Sequence, residues 1–321
     1  MALTNLLFFS LACIGLFISS FWLLKSLRVI TKFLKLSEFI TGFVLLGIGT
    51  SLPELFVGIT SAIKKTPAIS LGNIIGANIL DLTLVIGIPI LVSRGLKSGH
   101  KQITRDSYLM VLMTTLPLIL MIIGKEISRI DGIILIVAFS LYIFKLYKQQ
   151  KEFKKKVKSV LNRKEVALNF IIFFISLLIL FKSSDFAIQY AKLLAVDFLL
   201  PPIIIGIFLL SFGTTLPELI TGTRAALSKD KDLTIGNIIG TVVTNSTLIL
   251  GIVALIHPIQ AHALYFYSSS IFMITFAFLF ATFISSGKEL DWKEGTTLIL
   301  MYILFLFVEL NLESFNLVLS Q

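Results

Sequence analysis

Apolar residues in this chain come in long runs separated by short polar breaks. Ten runs approach or exceed the ~20 residues that a helix needs to cross the hydrocarbon of a bilayer. They cover 6–24, 38–63, 68–92, 107–123, 130–147, 166–190, 199–226, 233–256, 264–285 and 295–312. The first run has no basic residue before it and Lys25 after it, and it is too long for the apolar region of a cleavable signal, so it is expected to stay as the first span. The one long polar stretch falls between spans five and six. The pattern predicts an all-α integral membrane protein of ten transmembrane helices, with halves 1–147 and 166–321 joined by a basic linker, 148–165.

Composition agrees with a lipid solvent: 56% of the 321 residues are hydrophobic and 14% charged, against roughly a quarter charged in soluble domains. The net charge of +10 does not point to nucleic acid, because Lys and Arg lie between the apolar runs and not along one stripe. It reads as topology instead. With the stretch Lys145 to Lys164 assigned to the cytoplasm, 22 of the 28 Lys and Arg fall on that side and six on the other, as the positive-inside rule requires. The expectation is a multi-pass protein of the cytoplasmic membrane with both termini outside. Cys13 is the sole cysteine, which excludes an internal disulfide and a Cys-based metal framework.

The two halves repeat each other at a shift of 164 residues. Gly49-Thr50-Ser51-Leu52-Pro53-Glu54-Leu55 falls on Gly213-Thr214-Thr215-Leu216-Pro217-Glu218-Leu219, and Gly72-Asn73-Ile74-Ile75-Gly76 on Gly236-Asn237-Ile238-Ile239-Gly240. Without a gap from 49 to 87, 17 of 39 positions are identical, which marks a duplication. Five spans per half is an odd number, so the second copy enters the membrane from the opposite side, as in many secondary transporters.

Ionisable groups deep in a membrane are costly and usually functional. Glu54 and Glu218 lie mid-span and Asp81 in the second half of span three, while Asp185 and Glu309 fall nearer span ends. Gly47, Thr50, Ser51, Glu54 and Gly58 share one helical face, and Ser211, Thr214, Thr215, Glu218 and Gly222 repeat it. Pro53 and Pro217 each remove a backbone N–H and are expected to free main-chain carbonyls one turn before a glutamate. On the following helices Asn73, Ala77 and Asp81 are four apart, as are Asn237, Thr241 and Asn245. Carboxylate, amide, hydroxyl and carbonyl oxygens without nitrogen or sulfur donors suit hard cations, Ca2+ or Na+ before Zn2+ or Cu+.

These duplicated motifs resemble the alpha repeats of the cation/calcium antiporter superfamily, in particular its prokaryotic sodium/calcium exchangers. The resemblance implies that Glu54 and Glu218 bind Ca2+ with the carbonyls of Thr50 and Thr214. It further implies Na+ sites near Gly47, Ser51, Glu218 and Thr241 and near Ser211, Thr215 and Glu54, with Asp81 and Asn245 at the centre. Asn73 and Asn237 read either as ligands or as braces between helices. Two departures stand out: Ala77 replaces a common serine, and Asp81 with Asn245 reverses the usual order of acid and amide. The function expected is Ca2+ export in exchange for Na+, by alternating access at a shared site where the two loads compete. The chain would act as a monomer in the lipid bilayer, with no cofactor beyond the transported ions. H+ in place of Na+, and dependence on K+, remain open at this point, as does the more distant reading as a cation channel.

Other readings are weaker. Polar residues in membrane helices also serve as interhelical glue, and Gly47, Gly58, Gly72 and Gly76, taken singly, read first as close-packing positions. Lys182 and Asp185 read as a pair near a span end. No His-Glu-x-x-His or Gly-x-Gly-Asp motif occurs, so an intramembrane enzyme is not expected.

Overall fold

The computed structural model describes residues 2–34, 49–97, 101–149, 163–227, 232–260, 263–287 and 289–319. Within them the chain is helical apart from turns and two short strands. Helix α1 (Ala2–Phe33) is followed by α2 (Leu52–Ile63) and α3 (Pro67–Leu80), and α3 runs through a wide π turn, Asp81–Val85, into α4 (Ile86–Ser93). Strand β1 (Leu96–Lys97), α5 (Lys101–Gly124) and α6 (Arg129–Gln149) complete the first half. The second half starts with α7 (Arg163–Asp197). Helix α8 (Pro202–Ile205) then joins α9 (Ser211–Ala226) through a π turn, Gly206–Leu210, and α10 (Asp232–Thr244) joins α11 (Leu250–Ile256) through another, Asn245–Ile249. Helix α12 (Ala263–Ser286), β2 (Glu289–Leu290) and α13 (Trp292–Leu319) end it.

Among the described residues, nine helical stretches are long and apolar enough to cross a membrane, and each overlaps one predicted span. The remaining predicted span, 38–63, is represented by the shorter apolar helix Leu52–Ile63; residues 38–48, and with them Gly47, lie outside the described residues, as does most of the 148–165 linker.

Burial separates central from peripheral helices. In the most apolar part of Pro67–Ser93, 83% of residues are buried, and in that of Thr234–Ile256 78%, against 22% in those of Lys164–Asp197 and Trp292–Leu312. Outward-facing Leu112, Ile123, Leu178 and Phe307 are more than half exposed, as suits side chains whose neighbour is lipid. The apolar interior falls into two clusters. Phe9, Leu16, Leu23, Leu180, Ile188 and Leu194 pack α1 against α7, and a larger cluster runs through α3–α6 and α10–α13.

The halves are tied together at matching positions. Gly87 lets α4 approach the backbone of Gly295 on α13, and Gly251, its mate at a shift of 164, lets α11 approach Gly132 on α6. β1 pairs antiparallel with β2, Leu96 opposite Leu290, and Gly95 makes the turn into β1 with φ +118°, a conformation that favours glycine. Ile127 and Ile259 form an isolated antiparallel bridge, with both N–H···O distances 3.0 Å. Since β1 precedes α5 and Ile127 follows it, the two bridges clamp opposite ends of the bundle.

Two local expectations change. Asp185 pairs with Lys64 (2.6 Å), not with Lys182, because the last turn of α2 packs beside α7. Pro53 does mark a helix start, in the first turn of α2 after Ser51, but Pro217 sits inside the continuous helix α9.

Candidate functional site

Of the thirteen residues singled out from the sequence, twelve are described, and all twelve are buried: Thr50, Ser51, Glu54, Asn73, Asp81, Ser211, Thr214, Thr215, Glu218, Asn237, Thr241 and Asn245. They come from five segments: the turn into α2 with the first turn of α2 itself, α3 with its π turn, α9, α10, and the π turn after α10. Short, small-residue packing brings these segments together. A Cβ at Gly72 would overlap the main-chain carbonyl of Ile203, one at Gly206 that of Ile69, and one at Gly76 the carbonyl of Ile207 and the Ser211 side chain. The glycines weighed above as close-packing positions are therefore close-packed at 72 and 76.

The three carboxylates form one electrostatic group. Glu54 acts on Asp81, and Glu218 is acted on by both. Threonines of the opposite copy flank the glutamates, Thr214 beside Glu54 and Thr50 beside Glu218, although these approaches fall short of hydrogen-bond geometry. Both carboxylate oxygens of Glu54, Asp81 and Glu218 are buried without a hydrogen-bond partner, and so are Ser51 Oγ, Asn237 Oδ1 and Asn245 Oδ1. Six carboxylate oxygens left this way are expensive unless a positive charge meets them.

Other hydroxyls around them are braced. Thr50 Oγ1 lies 3.3 Å from Thr241 Oγ1. Thr214, the mate of Thr50, donates instead to Asn73 Oδ1 at 3.1 Å, since the mate of Thr241 is Ala77, which has no hydroxyl. Asn73 thus serves as a brace through its oxygen, whereas the oxygen of its mate Asn237 is unengaged. Thr215 Oγ1 donates to the Ser211 carbonyl (2.6 Å), and Ser211 Oγ to the Ile207 carbonyl.

Among the described residues no three His, Cys, Asp or Glu side chains cluster closely enough to hold a metal by themselves. A cation here would need the mixed oxygen set, a weaker cage than a resident metal's and one better suited to release.

Sequence reasoning missed three features. Two of the three π turns begin at Asp81 and at its mate Asn245, and such wide turns often occur at functional positions; no residue type announces them. Asn78 lies one residue off the Asn73–Ala77–Asp81 stripe, and its mate is Val242, so the repeat concealed it. Glu309, read as near a span end, is buried and accepts a hydrogen bond from Ser269 Oγ at 2.6 Å.

Buried acids beside hydroxyl and amide groups, in the interior of an apolar helix bundle, fit a multi-pass membrane protein that handles cations. The profile of the family described as sodium/calcium exchanger protein matches residues 4–148 and 168–311, and the chain belongs to that family of membrane antiporters. It is 27% identical to the sodium/calcium exchanger MaX1 of Methanosarcina acetivorans, over 96% of this chain and 99% of the relative. It is 26% identical to the inner membrane protein YrbG of Escherichia coli, over 75% and 77%. A solved structure of the sodium-calcium exchanger NCX_Mj matches 95% of this chain and 98% of its own, with a TM-score of 0.65 at 23% identity, a likeness of fold.

Proposed function

We propose that the protein exchanges Ca2+ for Na+ across the cytoplasmic membrane, by alternating access at a midplane site built on Glu54 and Glu218. The observation that carries this reading is the set of six buried carboxylate oxygens without hydrogen bonds, joined by Ser51, Asn237 and Asn245 oxygens. Glu54 and Glu218 serve both loads, with the Thr50 and Thr214 carbonyls on Ca2+. Na+ binds at the flanks, one site using Gly47, Ser51 and Thr241 and the other Ser211 and Thr215. Asp81 and Asn245 occupy the middle.

The architecture in this reading is ten transmembrane helices in two inverted halves, 1–147 and 166–321, acting as a monomer, with both termini outside and the 148–165 linker in the cytoplasm. Supporting inversion, the paired contacts Gly87–Gly295 and Gly251–Gly132, like the bridges Leu96–Leu290 and Ile127–Ile259, relate positions that match to within one residue of the repeat while sitting at opposite ends of the bundle. Supporting rocking of one unit against another, α1 and α7 pack mainly on each other while α3–α6 and α10–α13 share the other core. The name of MaX1 supports the choice of ions.

The test is uptake of radioactive Ca2+ into proteoliposomes holding the purified chain, driven by an internal Na+ load. Wild-type protein takes up Ca2+ in proportion to that load, and Glu54→Gln or Glu218→Gln abolishes uptake; wild-type rates in either variant would refute the site. Imposing a pH gradient without Na+ separates proton coupling, and Ca2+ conductance independent of any counter-ion would indicate a channel.

A further inference from the structure

The buried amides at the centre of the bundle bear on a question the carboxylates do not raise. A carboxylate offers an acceptor oxygen whichever way it turns, but an amide offers oxygen on one side and NH2 on the other. Asn245 is the repeat mate of Asp81, so at this position the chain must hold an amide with its oxygen toward any cation. Asn245 Nδ2 donates to Asn78 Oδ1 at 3.1 Å. Asn78 Nδ2 in turn donates to Ser246 Oγ at 2.8 Å and approaches Met273 Sδ at 3.5 Å.

Met273 sets the polarity of this chain of contacts. A serine hydroxyl can donate or accept, but a thioether has no proton and can only accept. The end of Asn78 that faces Met273 must therefore be its NH2, which leaves the Asn78 oxygen toward Asn245. That oxygen claims the Asn245 NH2, and the Asn245 oxygen is the group left buried and unengaged. Asn78 is itself buried, out of reach of bulk solvent. The repeat points the same way: the mate of Asn78 is Val242, and the residue it would face by the repeat correspondence is Asp81, a carboxylate that needs no orienting.

We infer that Asn78 is a positioning residue for cation binding, which fixes the Asn245 amide with its oxygen toward the carboxylate site. This rests on the exchanger-site reading above. It would act on affinity through Asn245 and without touching the ion.

The test is a double-mutant cycle on Ca2+ affinity, read on the purified full-length protein by calorimetric titration and by the Ca2+-induced rise of the thermal midpoint. Asn78→Val is expected to weaken Ca2+ binding by about tenfold, the scale of one lost hydrogen bond in a buried site. In an Asn245→Asp background the same change is expected to cost less than about twofold, because a carboxylate binds from either oxygen, and in an Asn245→Ala background nothing remains to orient. Asn78→Ala replaces Asn78→Val if valine does not fit between Ser246 and Met273. A merely structural role for Asn78 predicts the same loss in all three backgrounds, and that result would overturn the assignment, as would undiminished affinity in Asn78→Val alone. Glu54→Gln separates the two levels: if it binds Ca2+ like the wild type, the site reading fails and this inference with it; if it abolishes binding while the cycle shows equal losses, only the role of Asn78 fails.

Discussion

Alanine at Gly72 and alanine at Gly222 should have opposite effects, although both glycines belong to the repeated segments and both lie in helices. At Gly72 an added Cβ meets the carbonyl oxygen of Ile203, its carbon at 3.0 Å and its Cα at 3.1 Å. All three atoms are backbone of α8, so no side chain can rotate away and α3 must move off α8 as a body. Overpacking of this kind costs about 1–3 kcal/mol, against which the better helix propensity of alanine returns up to about 1 kcal/mol. The net expectation is a loss of about 1–2 kcal/mol. At Gly222 the nearest atoms are 3.8 Å away, ordinary van der Waals distance, so the propensity gain of about 1 kcal/mol stands alone. Thermal unfolding of the purified protein in detergent should show the midpoint falling by a few degrees for Gly72→Ala and holding or rising for Gly222→Ala. Exchange should follow: Asn73, next to Gly72, takes the Thr214 hydroxyl, so moving α3 strains the site, while Gly222→Ala leaves transport unchanged. Equal shifts for the two variants, or a higher midpoint for Gly72→Ala, would show that the α3–α8 approach is not as tight as described.

Further outcomes can be checked independently. A disulfide between cysteines placed at Ile127 and Ile259, whose backbones already exchange two hydrogen bonds, should form on oxidation and leave exchange intact, since both residues belong to the same core; arrest of transport by the cross-link would contradict the division into two packing units. Lys64→Gln should lower stability by less than about 1 kcal/mol, because the Lys64–Asp185 pair is partly exposed and screened; a midpoint drop comparable to that of Gly72→Ala would sink this estimate. Asp291 accepts from the backbone N–H of Lys293 and Glu294 while Glu294 accepts from the N–H of Asp291, a reciprocal cap on α13. The Glu294 side chain, then these N–H groups, hold the Asp291 carboxyl below its usual range. Its stabilisation is therefore present above the unfolded carboxyl pKa and lost as pH falls through the depressed one, so the midpoint difference between wild type and Asp291→Ala should shrink on acidification; a difference that grows would contradict the assignment.

Much of the site was legible because depth in a membrane is written in local sequence. An acid in the middle of an apolar run is conspicuous, and Glu54, Asp81 and Glu218 are all buried as expected. The same logic set Glu309 apart from the deep acids because it lies near a span end; its burial comes from the packing of α13 on α12, which no property of its own run reveals. Lys182 and Asp185 looked like partners because they are close in sequence, but three residues along a helix is a weaker claim on Asp185 than Lys64, which reaches it from α2 across the contact of α2 with α7.

The sequence by itself determined the apolar runs, the duplication and the oxygen-rich faces, because hydrophobic length and helical periodicity depend only on neighbours along the chain. Tertiary structure alone decided which copies of a repeated residue carry which task. Thr50 meets Thr241 while Thr214 turns to Asn73, Gly72 is pressed against backbone while its mate Gly236 faces open space, and Asn78 reaches Asn245 where its mate is an apolar Val242. The physical reason is that two copies with the same local pattern fold alike but meet different neighbours, and those neighbours are brought by helices far away in sequence.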